Sequence, residues 1–357
     1  MGPAMKSFIK MSYDTIVYRL DLMPDEQMRF LQWMDKLPLI NRLDQGIPRH
    51  KYGLEFDGVR IYVSDSTRLH PNVRIRILSE YIQRVGWKRA FNFMVEIFQG
   101  ALKFKSAKSF RKRIILSQVD LAYDFASDFS PWLDDSESFK IVTQHKTKRT
   151  YQIDDETKWA LFGSGSAGWK VRLYNKLNEV KDKTEKRYWL GIWKEKGYSE
   201  PENVWRIEFE LRNDFLKRFR IRSMHQMERM QCKVLQYCIS FFHVVFCDNP
   251  NVSRCTWVPE FQFLRDLSSQ YEKEFYDFTP RYFRDLRDNA IFRAKSAMRK
   301  SIVYSIALIA KLKGSTKYLD QLVPTVIETI FQRCQFDPIQ IMCEVEECLT
   351  KKGFYYV

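Results

Sequence analysis

Apolar and polar residues alternate along much of the first two thirds of the chain. Residues 15–22 (TIVYRLDL) put Ile16, Tyr18, Leu20 and Leu22 on one side and Val17, Arg19 and Asp21 on the other, which predicts a strand ended by Pro24. In 25–36 the apolar positions Met28, Phe30, Leu31 and Met34 follow a helical period. Residues 58–63 and 73–78 predict further strands, and 79–98 a long amphipathic helix. Alternation returns in 119–125 (VDLAYDF), 171–176 (VRLYNK) and 205–212 (WRIEFELR). From Ser223 onward the period is helical, strongest in 225–246 and 280–313 and present in 322–332 and 338–351. Residues 12–220 lack the regular rhythm of a parallel sheet, so the expected fold class is α+β with an antiparallel sheet core, followed by a mainly helical domain at 221–357 with a DNA-binding or accessory role.

Side chains two apart on a strand share a face. One face therefore collects Asp120 and Asp124, another Arg172, Tyr174 and Lys176, and a third Arg206, Glu208, Glu210 and Arg212. Leu173, Ile207, Phe209 and Leu211 turn toward a core. Carboxylates on neighbouring strands suit a hard divalent cation such as Mg²⁺ or Mn²⁺. Asp120 and Asp124, four residues apart on an extended strand, are separated by roughly 13 Å and cannot both bind one ion without a bend or bulge. Taken alone, RIEFELR reads as an exposed face of alternating salt bridges; the tyrosine strand shifts that reading toward a site. A phenol with a pKa near 10 needs nearby positive charge to act as a nucleophile. Tyr174 has Arg172 and Lys176 two residues to either side; Tyr188, Tyr151 and Tyr123 are the less favoured candidates.

Charge sharpens this picture. The chain has 59 Lys and Arg against 44 Asp and Glu, a net charge of +15, and the basic residues cluster. Residues 100–116 hold Lys103, Lys105, Lys108, Arg111, Lys112 and Arg113 and no acid, and 281–313 hold nine basic residues against Asp285 and Asp288. Such runs are often solvated faces, but several on one chain favour a polyanionic partner, most commonly nucleic acid. Hydrophobic residues at 45% and aromatics at 15% exclude extended disorder.

Other motifs carry less. Gly163, Gly165 and Gly168 fit GxGxxG, but the next segment alternates like a strand, so a hairpin turn is expected rather than a dinucleotide site. The five histidines include no HxH pair, which gives no support to a histidine-ligated metal. Seven cysteines without a CxxC pair point to reduced thiols. Residues 1–10 lack a secretory signal and the most apolar run, 301–310, is too short for a span, so a soluble cytoplasmic protein is expected.

Together the three segments resemble the Rep_trans replication initiation factors, which include rolling-circle plasmid initiators, filamentous-phage replication proteins and relaxases of integrative elements. VDLAYD resembles that family's RxDxAxD-type strand, with Gln118 near the place of its Arg. GSGSAGWKVRLYNKLNEV resembles the glycine turn, the R-[IL]-Y-[DN]-K strand and its trailing Glu, and WRIEFELR the R-x-E-x-x-L-[RK] strand. The order of the motifs agrees, and the likeness covers about residues 113–221. The resemblance implies an HUH-like, ferredoxin-like palm and a metal-dependent endonuclease and strand transferase in a bacterial host. Tyr174 would nick one origin strand, leaving a 5′-phosphotyrosine and a 3′-OH primer, with Arg172 and Lys176 on the scissile phosphate. Asp120 and Glu208, with Asp124 and Glu210 as further contributors, would hold Mg²⁺ or Mn²⁺. Lys103, Lys105, Lys108, Arg111, Lys112, Arg113, Arg206 and Arg212 would grip flanking DNA. A host helicase and a second copy of the chain are the other expected partners. The competing expectation is a non-catalytic origin- or operator-binding regulator on the same fold, and an RNA binder is a third.

Overall fold

The computed structural model describes residues 7–269, apart from 38–40, 44, 105, 134–136, 154–155, 165–167 and 200. The expected helices at 280–313, 322–332 and 338–351 lie outside the described residues. The elements run β1 (Phe8–Leu20), α1 (Pro24–Asp35), β2 (Tyr52–Phe56), β3 (Val59–Val63), β4 (Val73–Ile77), α2 (Ser79–Val85), α3 (Trp87–Leu102), α4 (Ala107–Arg113) and β5 (Ile115–Phe125). They continue with α5 (Ser130–Leu133), β6 (Phe139–Thr143), β7 (Lys148–Ile153), β8 (Glu156–Phe162), β9 (Trp169–Asn175), α6 (Lys176–Asp182) and α7 (Tyr188–Glu195). The last are β10 (Trp205–Arg212), α8 (Asn213–Arg218), α9 (Met224–Phe241), β11 (Phe242–Phe246) and α10 (Pro259–Ser269).

Nine strands form one sheet in the order β2-β3-β4-β1-β5-β10-β9-β8-β7, every neighbouring pair antiparallel. This is the expected α+β class. The long β1 pairs with β4 over its second half and with β5 along most of its length, which joins the N-terminal hairpins to the three motif strands. Ile16, Ile75, Leu121, Val171, Leu173, Ile207 and Phe209 are fully buried on one face. Aromatic side chains fasten helices there: the Phe91 ring of α3 lies 5.3 Å from Tyr18, and Trp169 meets Phe215 of α8 and Tyr237 of α9. Tyr13 Oη donates to Gln231 of α9 at 2.7 Å and the Trp87 indole to Glu228 at 2.7 Å.

Two expectations change in the structure. The helix read over 79–98 is two helices, because Gly86 sits at φ 78° between α2 and α3, a conformation open to glycine. The helix read over 225–246 stops at Phe241, and the β-branched and aromatic run Phe242–Phe246 pairs with β6 instead. The described residues after 221, in α9, β11 and α10, belong to the same compact unit as the sheet. The turn at Gly163 follows the sequence: β8 and β9 are antiparallel neighbours, and Gly163 has φ 108°.

Candidate active site

The register of β5, β10 and β9 stacks the three motifs side by side. Asp124, Arg206 and Tyr174 form one cross-strand row, Ala122, Glu208 and Arg172 the next, and Asp120, Glu210 and Lys170 the third. These rows lie on the face opposite the buried aliphatic residues. On β1 an irregularity between Tyr13 and Thr15 adds Asp14 to the same neighbourhood, with Thr15 opposite Asp120. After β9, Asn175 caps α6 by accepting from the Asn178 amide at 3.0 Å, and α6 folds Lys176 and Glu179 back over the row that holds Tyr174.

Tyr174 is half-buried and lines a cleft of about 740 Å³ together with Asp14, Asp120, Arg172, Glu179 and Glu208. Its hydroxyl donates to Glu208 Oε2 at 2.9 Å, and Lys176 Nζ lies 3.5 Å from the Tyr174 hydroxyl oxygen. Burial, and next the Glu208 carboxylate, push this phenol well above its ordinary pKa. The proton therefore stays on oxygen in the resting site, with a carboxylate already placed to accept it. Lys176 is buried, donates to Glu179 Oε2 at 2.6 Å and faces the Tyr174 and Trp189 rings. Burial and the Arg206 cation lower its pKa, against the pull of Asp14 and Glu179.

Arg172 bridges Glu208 and Glu210, and Glu210 also receives Arg212. Burial works against its charge, yet Glu208, Glu210 and Asp120 raise its pKa above the usual arginine value. Asp120 is buried, accepts from Gln118 Nε2 at 3.0 Å and has a carboxyl pushed well above the usual range, by burial first and Glu208 second. The structure thus brings Tyr174, Lys176, Arg172, Asp120, Glu208 and Glu210 into one cluster.

Asp124 and Arg206 play other parts than the sequence suggested. Asp124 receives Arg206 Nε at 2.6 Å, Arg206 Nη2 at 2.9 Å and the Trp193 indole at 3.1 Å, so its oxygens are committed away from any ion. Arg206 is fully buried, pairs with Asp14 as well and lies 4.3 Å from the Trp189 ring, which gives its charge partners inside the protein. Of the expected gripping residues, Lys103, Lys108, Arg111 and Lys112 are exposed, but α4 packs on α3 through Phe110 and Phe98, on the side of the sheet away from Tyr174. Arg113 is tied to Glu26 at 2.6 Å, and Lys105 lies outside the described residues. Tyr123 is fully buried on the apolar face and Tyr188 is buried, which removes both as nucleophiles.

The carboxylates are hard oxygen donors, but their present arrangement does not fit a metal. Among the described residues no three Asp, Glu, His or Cys side chains are disposed to hold an ion, because Arg172 takes oxygens of both Glu208 and Glu210. Sequence reasoning missed Asp14, whose carboxyl burial would raise but Lys176 and Arg206 hold well below the usual range. It gave Glu179 no role, although Lys176 and Lys186 overcome burial to bring its carboxyl down to about 2. The sequence signals were the break in alternation before Thr15, the three-residue spacing of Lys176 and Glu179, and the place of Glu179 as the trailing Glu of the tyrosine motif.

No family model matches the chain, and no curated protein sequence matches it. Among solved structures, a rolling circle replication initiator protein from Geobacillus stearothermophilus is similar over 74% of this chain and 98% of its own, with a TM-score of 0.43 and 14% identity. No helix among the described residues is long and apolar enough to cross a membrane.

Proposed function

We propose that this protein nicks one strand of DNA through Tyr174 in the initiation of rolling-circle replication. The observation that carries the proposal is the Tyr174 hydroxyl, set in a cleft with a carboxylate at 2.9 Å to take its proton and Lys176 and Arg172 beside it. In the reaction the Tyr174 oxygen forms a bond to phosphorus while its proton passes to Glu208 Oε2. The bond from phosphorus to the 3′ oxygen breaks, and that oxygen leaves as a 3′-OH after taking a proton from water. The raised phenol pKa makes this transfer concurrent with attack. Positive charge from Lys176 and Arg172 offsets the charge that builds on the phosphoryl oxygens. Exposed Tyr151 and Trp159, stacked 6.1 Å apart at the cleft, offer a surface for an unpaired base. An Mg²⁺ or Mn²⁺ ion on Asp120 and Glu208 would require Arg172 to release Glu208.

The test uses a 3′-labelled single-stranded DNA library of random sequence, with Mn²⁺ or with chelator. An adduct that survives denaturation, accompanied by a fragment that a polymerase can extend, is expected from the parent and not from Tyr174→Phe. DNA binding without any adduct under either condition would overturn nicking. It would support a second reading, a non-catalytic DNA-binding regulator, which the Arg172 bridge across the two carboxylates favours.

A further inference from the structure

A second pocket on the polar side of the sheet gathers four arginines among its lining residues. Its volume is about 470 Å³, and Arg19, Arg49, Arg74, Arg212 and His50 line it with no aspartate or glutamate among the lining residues. Arg19, Arg49 and Arg74 have no ion pair with any described acid, and Arg74 stands close enough to Arg76 and Arg212 that, after burial, these cations lower its pKa. Arg212 shares Glu210 with Arg172, so the pocket gathers more positive than negative charge, an excess that a bound anion would offset. His50 is buried, and its Nε2 has no hydrogen-bond partner among the described residues.

The loop that delivers Arg49 is shaped for the purpose. Ile47 and His50 exchange backbone hydrogen bonds of 3.0 and 2.9 Å across Pro48 and Arg49, and Arg49 has φ 74°. Proline followed by a residue of positive φ is the pattern of a type II turn, where glycine normally stands second. The turn holds Arg49 in a conformation that arginine seldom adopts and sets it at the pocket.

The pocket also lies in line with the tyrosine. Arg206 is opposite Tyr174 and Arg212 is six residues further along β10, roughly 20 Å at about 3.3 Å per residue. Between them run the contacts Tyr174 to Glu208, Glu208 to Arg172, Arg172 to Glu210 and Glu210 to Arg212. We propose that this pocket holds backbone phosphates of the single-stranded DNA a few nucleotides from the phosphate facing Tyr174, fixing the strand's course over the sheet. The proposal rests on the nicking reading for its substrate but concerns a separate contact.

The experiment measures binding of a twenty-nucleotide oligothymidylate by fluorescence anisotropy over a range of salt, with the full chain. Arg49→Gly suits the backbone and removes the charge, so it should fold with an unchanged or raised melting temperature. Combined with Arg74→Gln it is expected to weaken binding about tenfold and to reduce the slope of log affinity against log salt by about 1.4, at about 0.7 per single-strand phosphate contact. A control, Lys88→Ala with Arg89→Ala, removes equal charge from exposed positions of α3 on the other face. Parent-like affinity and slope in the pocket variant, or an equal loss in the control, would overturn the proposal. Inorganic pyrophosphate that protects the parent thermally without competing with the oligonucleotide would assign the pocket to a small anion and overturn it too. Repeating the series in Tyr174→Phe separates the two readings: an arginine effect that persists where no parent adduct forms upholds the pocket and rejects nicking.

Discussion

At the scale of single residues, the cluster is organised by which charges have partners and how deeply they sit. The buried Arg206 and Asp124 satisfy one another with two hydrogen bonds and so anchor the floor of the cleft. Glu179 anchors its rim. Its carboxyl is held at about 2 against an ordinary 4.5, because Lys176 and Lys186 outweigh its burial. A depressed carboxylate stabilises the fold above its unfolded pKa and loses that contribution as pH falls through the folded value. For Glu179 the window runs from about 4.5 down to about 2, and the contribution is on the order of 3 kcal/mol. Asp14, depressed by the same lysine and by Arg206, adds to the same acid loss. Glu179→Gln is therefore expected to be less stable at neutral pH, with Lys176 short of a partner, and to lose less on acidification. Urea unfolding at a series of pH values measures both, and a parent-like slope would contradict the assignment.

At the scale of elements, alternation identified strands well because a half-buried strand must alternate. Strands β3, β4, β9 and β10 fall close to the segments read from the sequence, and β1 begins earlier than expected. The same logic explains the omissions: β6 and β7 have mixed or exposed faces, so no alternation marks them. Residue types at the site were legible, since Tyr174, Arg172, Lys176, Asp120, Glu208 and Glu210 each stand out on their strands. Register was not, because nothing local to Asp124 or Arg206 says that they face each other across β5 and β10. Gly86 was a legible signal that the helical period hid. Its φ of 78° and ψ of 151° fall where only glycine is at ease, and this turn lets α2 and α3 both pack against the sheet. Gly86→Ala is expected to lower stability by about 1–3 kcal/mol, read as a drop in urea midpoint without change in slope.

At the scale of the whole molecule, the sheet separates two tasks. Its apolar face is covered by helices, and its polar face carries the cleft and the arginine pocket, so a nucleic-acid strand crossing that face would meet both. The basic residues of α4 serve a different side, which means that the charge run most visible in the sequence is not part of this surface. The helices after β10 belong to the sheet's own core: Tyr237 of α9 meets the Trp169, Phe215 and Phe219 rings, Val234, Leu235 and Cys238 are buried, and Phe261 of α10 packs on Phe242. A fragment ending at residue 220 would leave those apolar surfaces of β9, α8 and the sheet in water, at roughly 25 cal/mol for each Å² uncovered. It would also strip β6 of β11. Such a fragment is expected to unfold without a cooperative transition, whereas one ending at residue 269 keeps α9, β11 and α10 and should melt cooperatively. Calorimetry on the two decides it. A cooperative transition in the shorter fragment, at a temperature near that of the longer one, would mean that α9 to α10 lie on a core already complete at residue 220 and would restore the boundary that the sequence suggested.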